Sequence, residues 1–173
     1  MSEGRTYTIH KSKKSQVDRQ MNARESLRKT LESTAHRMEL VRQTGGVEFI
    51  NDARSSDLLS TRDSFKCILK PIIWLAATTP HERDYALIEK YVKYKIKCVV
   101  AYGSGGDDMK YKLEHLVEKF TSGRTLQDAV IKAHHLARSG DVVIFSPSCV
   151  PADDYRNFAD RGVAFVQYTK QLT

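Results

Sequence analysis

The sequence predicts an α/β fold, a mostly parallel sheet flanked by helices with a helix ahead of it. Three observations predict it. The short apolar runs IIWLAA, KCVVAY and DVVIF alternate with segments of helical periodicity, the pattern of βαβ units whose strands are covered on both faces. The 173 residues suit one domain, large enough to bury about two-thirds of the surface of the unfolded chain. Apolar residues make up 40% of the chain, yet no run approaches the ~20 residues of a membrane span. The start, MSEGRTYTIHKSKK, has charge but no apolar stretch behind it, so it does not read as a secretory signal. A cytoplasmic protein with no membrane association is the expectation.

In chain order, residues 1–14 are polar and aperiodic and read as a flexible basic arm. Residues 15–35 form the N-terminal helix, with Val17, Met21, Leu27 and Leu31 at roughly helical spacing between good helix formers. Residues 36–173 make the domain proper. MELV and VEFIN flank Gly45-Gly46 as a hairpin, and Ser55, Ser56 or Asp57 caps the helix that follows. Strand IIWLAA precedes a helix near Tyr85–Tyr94, KCVVAY precedes one near Asp108–Phe120, and a helix over Thr125–Arg138 leads into DVVIF and a closing helix. In such sheets ligands gather at the carboxyl ends of the strands. The loops after Ile50, Ala77, Tyr102 and Phe145 are therefore the ones that matter.

The formal charge is +7, of which residues 1–35 contribute +4, from eight Lys/Arg and four acids. Nucleic-acid binding through residues 5–29 rests on that charge alone, because no aromatic side chains are interleaved for base stacking. Cys67, Cys98 and Cys149 are an odd set at long spacing, which suggests neither a disulfide framework nor a metal site. GSGGDDMK after KCVVAY has glycines at a helix start, but G-K-[ST] is missing and Asp108 stands where a dinucleotide fingerprint needs Gly. It reads as a turn with an N-cap. His134-His135 sits in a helix without a further ligand at metal spacing and reads as structural. In NDARSSD, Asp52 and Arg54 are two apart at a strand end, placed either to pair with each other or to form a site.

The residues also carry a likeness. HRMELVRQTGGVEFINDARSSD followed by DVVIFSPSCVPADDYRNFADRGVAFVQYTKQL resembles the C-terminal domain of the Mur ligases, in particular the branch that adds D-glutamate to UDP-N-acetylmuramoyl-L-alanine in bacterial peptidoglycan synthesis. The likeness runs from about His36 to Leu172 and rests on a His-Arg pair, an N-D-x-[KR] strand end and S-P-x-C-x(4)-D-x-[FY]-x-N-F-x-x-R-G in matching order. It implies a Rossmann-like sheet. It also implies a division of labour in which a first domain holds the UDP-sugar, a central domain carries the ATP loop and the last domain brings the amino acid. ATP phosphorylates a carboxylate and the incoming amine attacks the acyl phosphate, with catalysis chiefly by positioning and charge. No G-x-x-x-x-G-K-[ST] occurs among the 173 residues, so no cofactor is expected for the chain alone. ATP and Mg would enter only with a partner chain that holds an ATP domain.

By that resemblance, His36, Arg37 and Asp52 match nucleotide-facing positions. Arg54 stands for a lysine, Ser56 for a threonine near the amino acid, and Phe158 for an aromatic beside it. Two positions are lost: Pro80 replaces the lysine that grips the substrate carboxylate, and Pro151 replaces a serine that bonds the same ligand. Proline offers neither a side-chain donor nor an N–H, and losing a charged donor at a desolvated carboxylate costs about 1.5–3 kcal/mol. The chain is thus expected to be a binding or regulatory module without catalytic residues of its own. The alternative is the amino-acid-binding part of a split ATP-dependent amide ligase. A protein partner or a second copy would dock on the loops after Ile50, Ala77 and Phe145.

Overall fold

In the computed structural model, residues 18–26, 35–81, 83–152 and 155–173 are described. The predicted arm and much of the predicted first helix lie outside them. Residues 18–26 are helical and exposed (α1). The hairpin follows as β1 (Glu39–Thr44) and β2 (Val47–Asn51), antiparallel with Thr44 opposite Val47. Its two-residue turn needs positive φ at both positions, which Gly45 (56°) and Gly46 (77°) supply.

Next come α2 (Leu58–Cys67), β3 (Ile72–Thr78), α3 (Ala86–Lys95), β4 (Ile96–Gly103), α4 (Gly106–Leu113) and a 3-10 turn at Glu114–Leu116. The chain closes with β5 (Lys119–Gly123), α5 (Leu126–Leu136), β6 (Val142–Phe145) and α6 (Phe158–Lys170). The sheet order is β1-β2-β6-β3-β4-β5, every pair but β1–β2 parallel. The Rossmann-like fold class is the one expected.

The apolar strands are apolar throughout because both faces are covered. Ile72, Trp74 and Ala76 of β3 pack with Phe65, Ile88 and Met109 of α2, α3 and α4. Ile73, Leu75 and Ala77 of the same strand pack with Val130 and Phe165 of α5 and α6. Helices α2, α3 and α4 cover one face and α5 and α6 the other; β3 leads to α3 on one face, while its neighbour β6 leads to α6 on the other.

Two expectations need correction. The helix placed near Asp108–Phe120 ends at Leu113, and Lys119–Gly123 is a strand. It borders only β4 and is half-exposed, so it carries no apolar run to announce it. The cap of α4 is Gly105, with no side-chain bond; Asp107 and Asp108 lie in the first turn, where they complement the helix dipole. For α2 the cap is Asp57, whose carboxylate accepts from the Ser60 N–H at 2.8 Å.

Candidate functional site

Where neighbouring parallel strands send their chains to opposite faces, a crevice opens at the carboxyl edge, and ligands of open α/β sheets bind there. Here it lies between β3 and β6. The two exits are stitched together: Ser146 N–H donates to Leu75 O at 3.2 Å and Ala77 N–H to Pro147 O at 3.1 Å. Ser148, at φ 60°, sends its N–H to Ser55 O at 2.9 Å, which ties in the loop after β2.

Beneath these loops lies a buried polar network around Asp52. Its carboxylate accepts from Met38 N–H at 3.3 Å and from Ser146 Oγ at 2.8 Å. Ser146 Oγ is also 2.8 Å from Thr61 Oγ1. With one proton to give, Ser146 donates to the carboxylate and accepts from Thr61. Burial pushes the Asp52 carboxyl above its ordinary range, against the pull of hydrogen bonds from Ser64, Ser55 and Ser146 and from the Met38 backbone. A raised folded pKa means that this group's contribution is fully present below its unfolded value and is lost as pH rises through the folded one. The stability difference between D52N and wild type should therefore shift toward the variant from about pH 4 upward, read by urea unfolding between pH 4 and 8. A difference that stays flat with pH would refute this.

The other expected residues are distributed as follows. His36, at φ 62° and half-buried, has Nδ1 at 2.9 Å from Asn51 Nδ2. Arg37 is half-buried beside it. Arg54 does not pair with Asp52: it is exposed, with its guanidinium 5.3 Å over the Phe158 ring. Ser56 lines a cleft of about 450 Å³ with Leu58, Leu59, Leu87 and Cys149. Pro80 is exposed and Pro151 half-buried. Cys67 and Cys98 are core residues, and Cys149 is buried as well. Among the described residues, no group of three or more His, Cys, Asp or Glu is placed to hold a metal.

The sequence reading missed Arg83. Its Nη1 donates to Ser148 Oγ at 3.0 Å, Ser148 O at 3.2 Å and Ala77 O at 3.5 Å, and Nη2 donates to Thr79 Oγ1 at 3.0 Å. One guanidinium thus spans the crevice and bonds both walls. The signal was a cation three residues after Pro80, in the loop from which a cation had been subtracted. Asn51 was quoted only as part of a motif. It proves to be a hub, with its amide also 3.2 Å from Glu39 Oε2 and its Oδ1 accepting from Ala53 N–H at 3.3 Å.

The Asp52 carboxylate is turned inward and engaged, and Gly103 at the end of β4 and Gly105 after it lie close against the backbone of Thr78 and Thr79.

Curated relatives decide the family. The UDP-N-acetylmuramoylalanine--D-glutamate ligase of Pelodictyon phaeoclathratiforme is 32% identical over 138 residues, covering 80% of this chain and 30% of that enzyme. The enzymes of the same name from Shouchella clausii and Pseudothermotoga lettingae are each 33% identical, over 141 and 140 residues. The chain is a Mur ligase-related domain. It spans about 30% of the length of these relatives, in keeping with the resemblance of its loops to the Mur ligase C-terminal domain. No protein-family model matches the chain. Among solved structures, a domain from a putative UDP-N-acetylmuramate:L-alanyl-gamma-D-glutamyl-medo-diaminopimelate ligase of Haemophilus ducreyi 35000HP aligns with TM-score 0.48 at 12% identity, over 76% of this chain and 98% of that one. In this Mur ligase-related domain no described helix is long and apolar enough to cross a membrane.

Proposed function

We propose that these 173 residues form a non-catalytic binding or regulatory module on a Mur ligase-related scaffold. The observation behind this reading is Arg83. In the D-glutamate-adding branch, the resemblance implies an open crevice in which a lysine and a serine receive the amino acid. Here prolines stand at both positions, and the crevice is bridged by the protein's own guanidinium, four of whose contacts go to internal oxygens. A carboxylate ligand would have to break these contacts to enter.

The partner-facing surface we propose is the same edge. Leu59, Leu87 and Val150 are 47%, 40% and 64% exposed around the cleft beside Arg83, and exposed apolar clusters of this kind mark interaction sites. Ala77 contributes nothing to that surface, since it is only 3% exposed.

The expected result of a coupled assay with UDP-N-acetylmuramoyl-L-alanine, D-glutamate and Mg-ATP is no turnover. Titration calorimetry should show no heat with millimolar D-glutamate. Turnover that survives repurification, or micromolar D-glutamate binding, would overturn the reading. A second reading, the amino-acid-binding part of a split ligase, draws on the identity to D-glutamate ligases over four-fifths of the chain. It predicts that turnover appears when a chain with the first and central domains is added, with Mg-ATP supplied by that partner.

A further inference from the structure

The stretch KYVKYKIK, Lys90 to Lys97, holds four lysines, two tyrosines and no acid. It runs from the middle of α3 into the start of β4, and so ends at the amino edge of the sheet, opposite the crevice. There a groove of about 320 Å³ opens between the end of α3 and the Leu69-Lys70-Pro71 turn that precedes β3. Lys70 stands on one bank and Lys93, Lys95 and Lys97 on the other; Glu118 is the one acid among the described residues that line it.

Structural duties account for only part of this charge. Lys95 Nζ donates to Phe65 O at 2.7 Å and Ile68 O at 2.8 Å, closing the end of α2, and Lys97 is held by Asp141 at 2.7 Å. Lys70 pairs with Glu48 at 2.6 Å, but both side chains are partly exposed, and surface pairs of that kind are worth little. Among the described residues, no carboxylate forms an ion pair with Lys90 or Lys93, and Glu89, the one acid of α3, lines the cleft on the α4 side. The helix dipole gives Lys93 a reason to sit in the last turn. It gives none for Tyr94, which is 72% exposed with Lys93 Nζ 5.6 Å from its ring centre. An open aromatic ring beside a lysine-lined groove is the combination that holds single strands without regard to sequence: lysines follow the phosphates and a base stacks on the ring. It is the interleaving that residues 5–29 lack. We propose that this groove binds single-stranded nucleic acid, with a base on Tyr94 and phosphates against Lys70, Lys90 and Lys93. Lys90 lies one turn before Tyr94 on the same side of α3, which extends the path beyond the groove. A duplex keeps its bases stacked inside and cannot use the ring, and an acidic peptide would engage the lysines alone. The groove is at the other edge of the sheet from the crevice, so the proposal stands whether or not the crevice accepts an amino acid.

The probe is a fluorescein-labelled oligo(U) of about twelve nucleotides, within the span such sites cover, titrated with the full chain and read by anisotropy. Three lysine contacts to phosphate predict that affinity falls roughly twentyfold between about 50 and 200 mM sodium chloride. Tyr94→Ala should weaken binding about tenfold, the worth of one stacked base, while Tyr94→Phe keeps the ring and should bind as wild type does. Position 94 is exposed, so both variants should keep the fold. Lys93→Ala should lower the salt dependence by about one contact. Because residues 1–35 are also basic, a chain with Lys11, Lys13 and Lys14 all replaced by alanine is carried alongside, and it should show the same tenfold response to Tyr94→Ala. The proposal is overturned if no binding is seen at the lower salt, if Tyr94→Ala binds as wild type does, or if the arm replacements alone abolish binding. It is overturned equally if a duplex of the same length competes better than the single strand, or if poly-L-glutamate does, which would assign the groove to an acidic protein surface.

Discussion

Alanine at Gly105 should destabilise the domain by about 3 kcal/mol, at the top of the range for overpacking. The added Cβ would drive into Thr79 O and lie 2.6 Å from its carbonyl carbon and 3.0 Å from its nitrogen. These are backbone atoms at the exit of β3, so no side chain can swing away to relieve the contact. The loop after β4 would have to lift from the loop after β3, and with it would move Thr79, which binds Arg83. Urea unfolding gives the energy, and heteronuclear spectra should show changes spreading to residues 77–85. A variant within about 0.5 kcal/mol of wild type, the usual tolerance of a surface position, would show that the two loops are not in close contact.

Trp74→Ala should be costlier, about 3–5 kcal/mol for a large ring removed from a closed core. Trp74 is fully buried, meets Phe65 edge-on with ring centres 5.2 Å apart, and donates Nε1–H to Ser146 O at 2.7 Å. That carbonyl belongs to the residue whose hydroxyl serves Asp52. Trp74→Phe keeps most of the packing but leaves the carbonyl without its donor, so a smaller loss of about 1–3 kcal/mol is expected. Equal losses in the two variants would mean that the hydrogen bond, and not the ring's bulk, accounts for the effect.

The strands IIWLAA, KCVVAY and DVVIF were legible because burial on both faces writes a nearly continuous apolar run, which few other structures require. The hairpin was legible because paired glycines answer one backbone need. Lys119–Gly123 was not, since an edge strand buries too little to leave a pattern. For the candidate site, the sequence pointed to loops that the structure brings side by side, but not to the directions of their side chains. Asp52 and Arg54 are two apart, but β2 ends at Asn51 and the chain turns there, with Ser55 N–H closing onto Asp52 O at 2.9 Å, so one is buried under Ser146 and the other lies exposed over Phe158. That difference depends on Met38 and Ser146, which lie 14 and 94 residues from Asp52 in the chain. Arg83 was hidden for the same reason. It is one charge among many in the sequence, and only the meeting of the loops after β3 and β6 sets it apart.

The sheet order bears on how such a chain assembles. β6, the last strand to be synthesised, lies between β2 and β3, with Ile144 beside both Ile50 and Trp74. Until it arrives, a growing chain can pair only β1 with β2 and β3 with β4 and β5. Each partial sheet then has an open apolar strand edge, the condition under which nascent chains associate wrongly. The contacts that join the halves span most of the domain, which slows folding relative to local pairing. Deletions near residues 142–145 should therefore do more than remove one strand: they would leave two half-sheets, each lacking the neighbour that closes it.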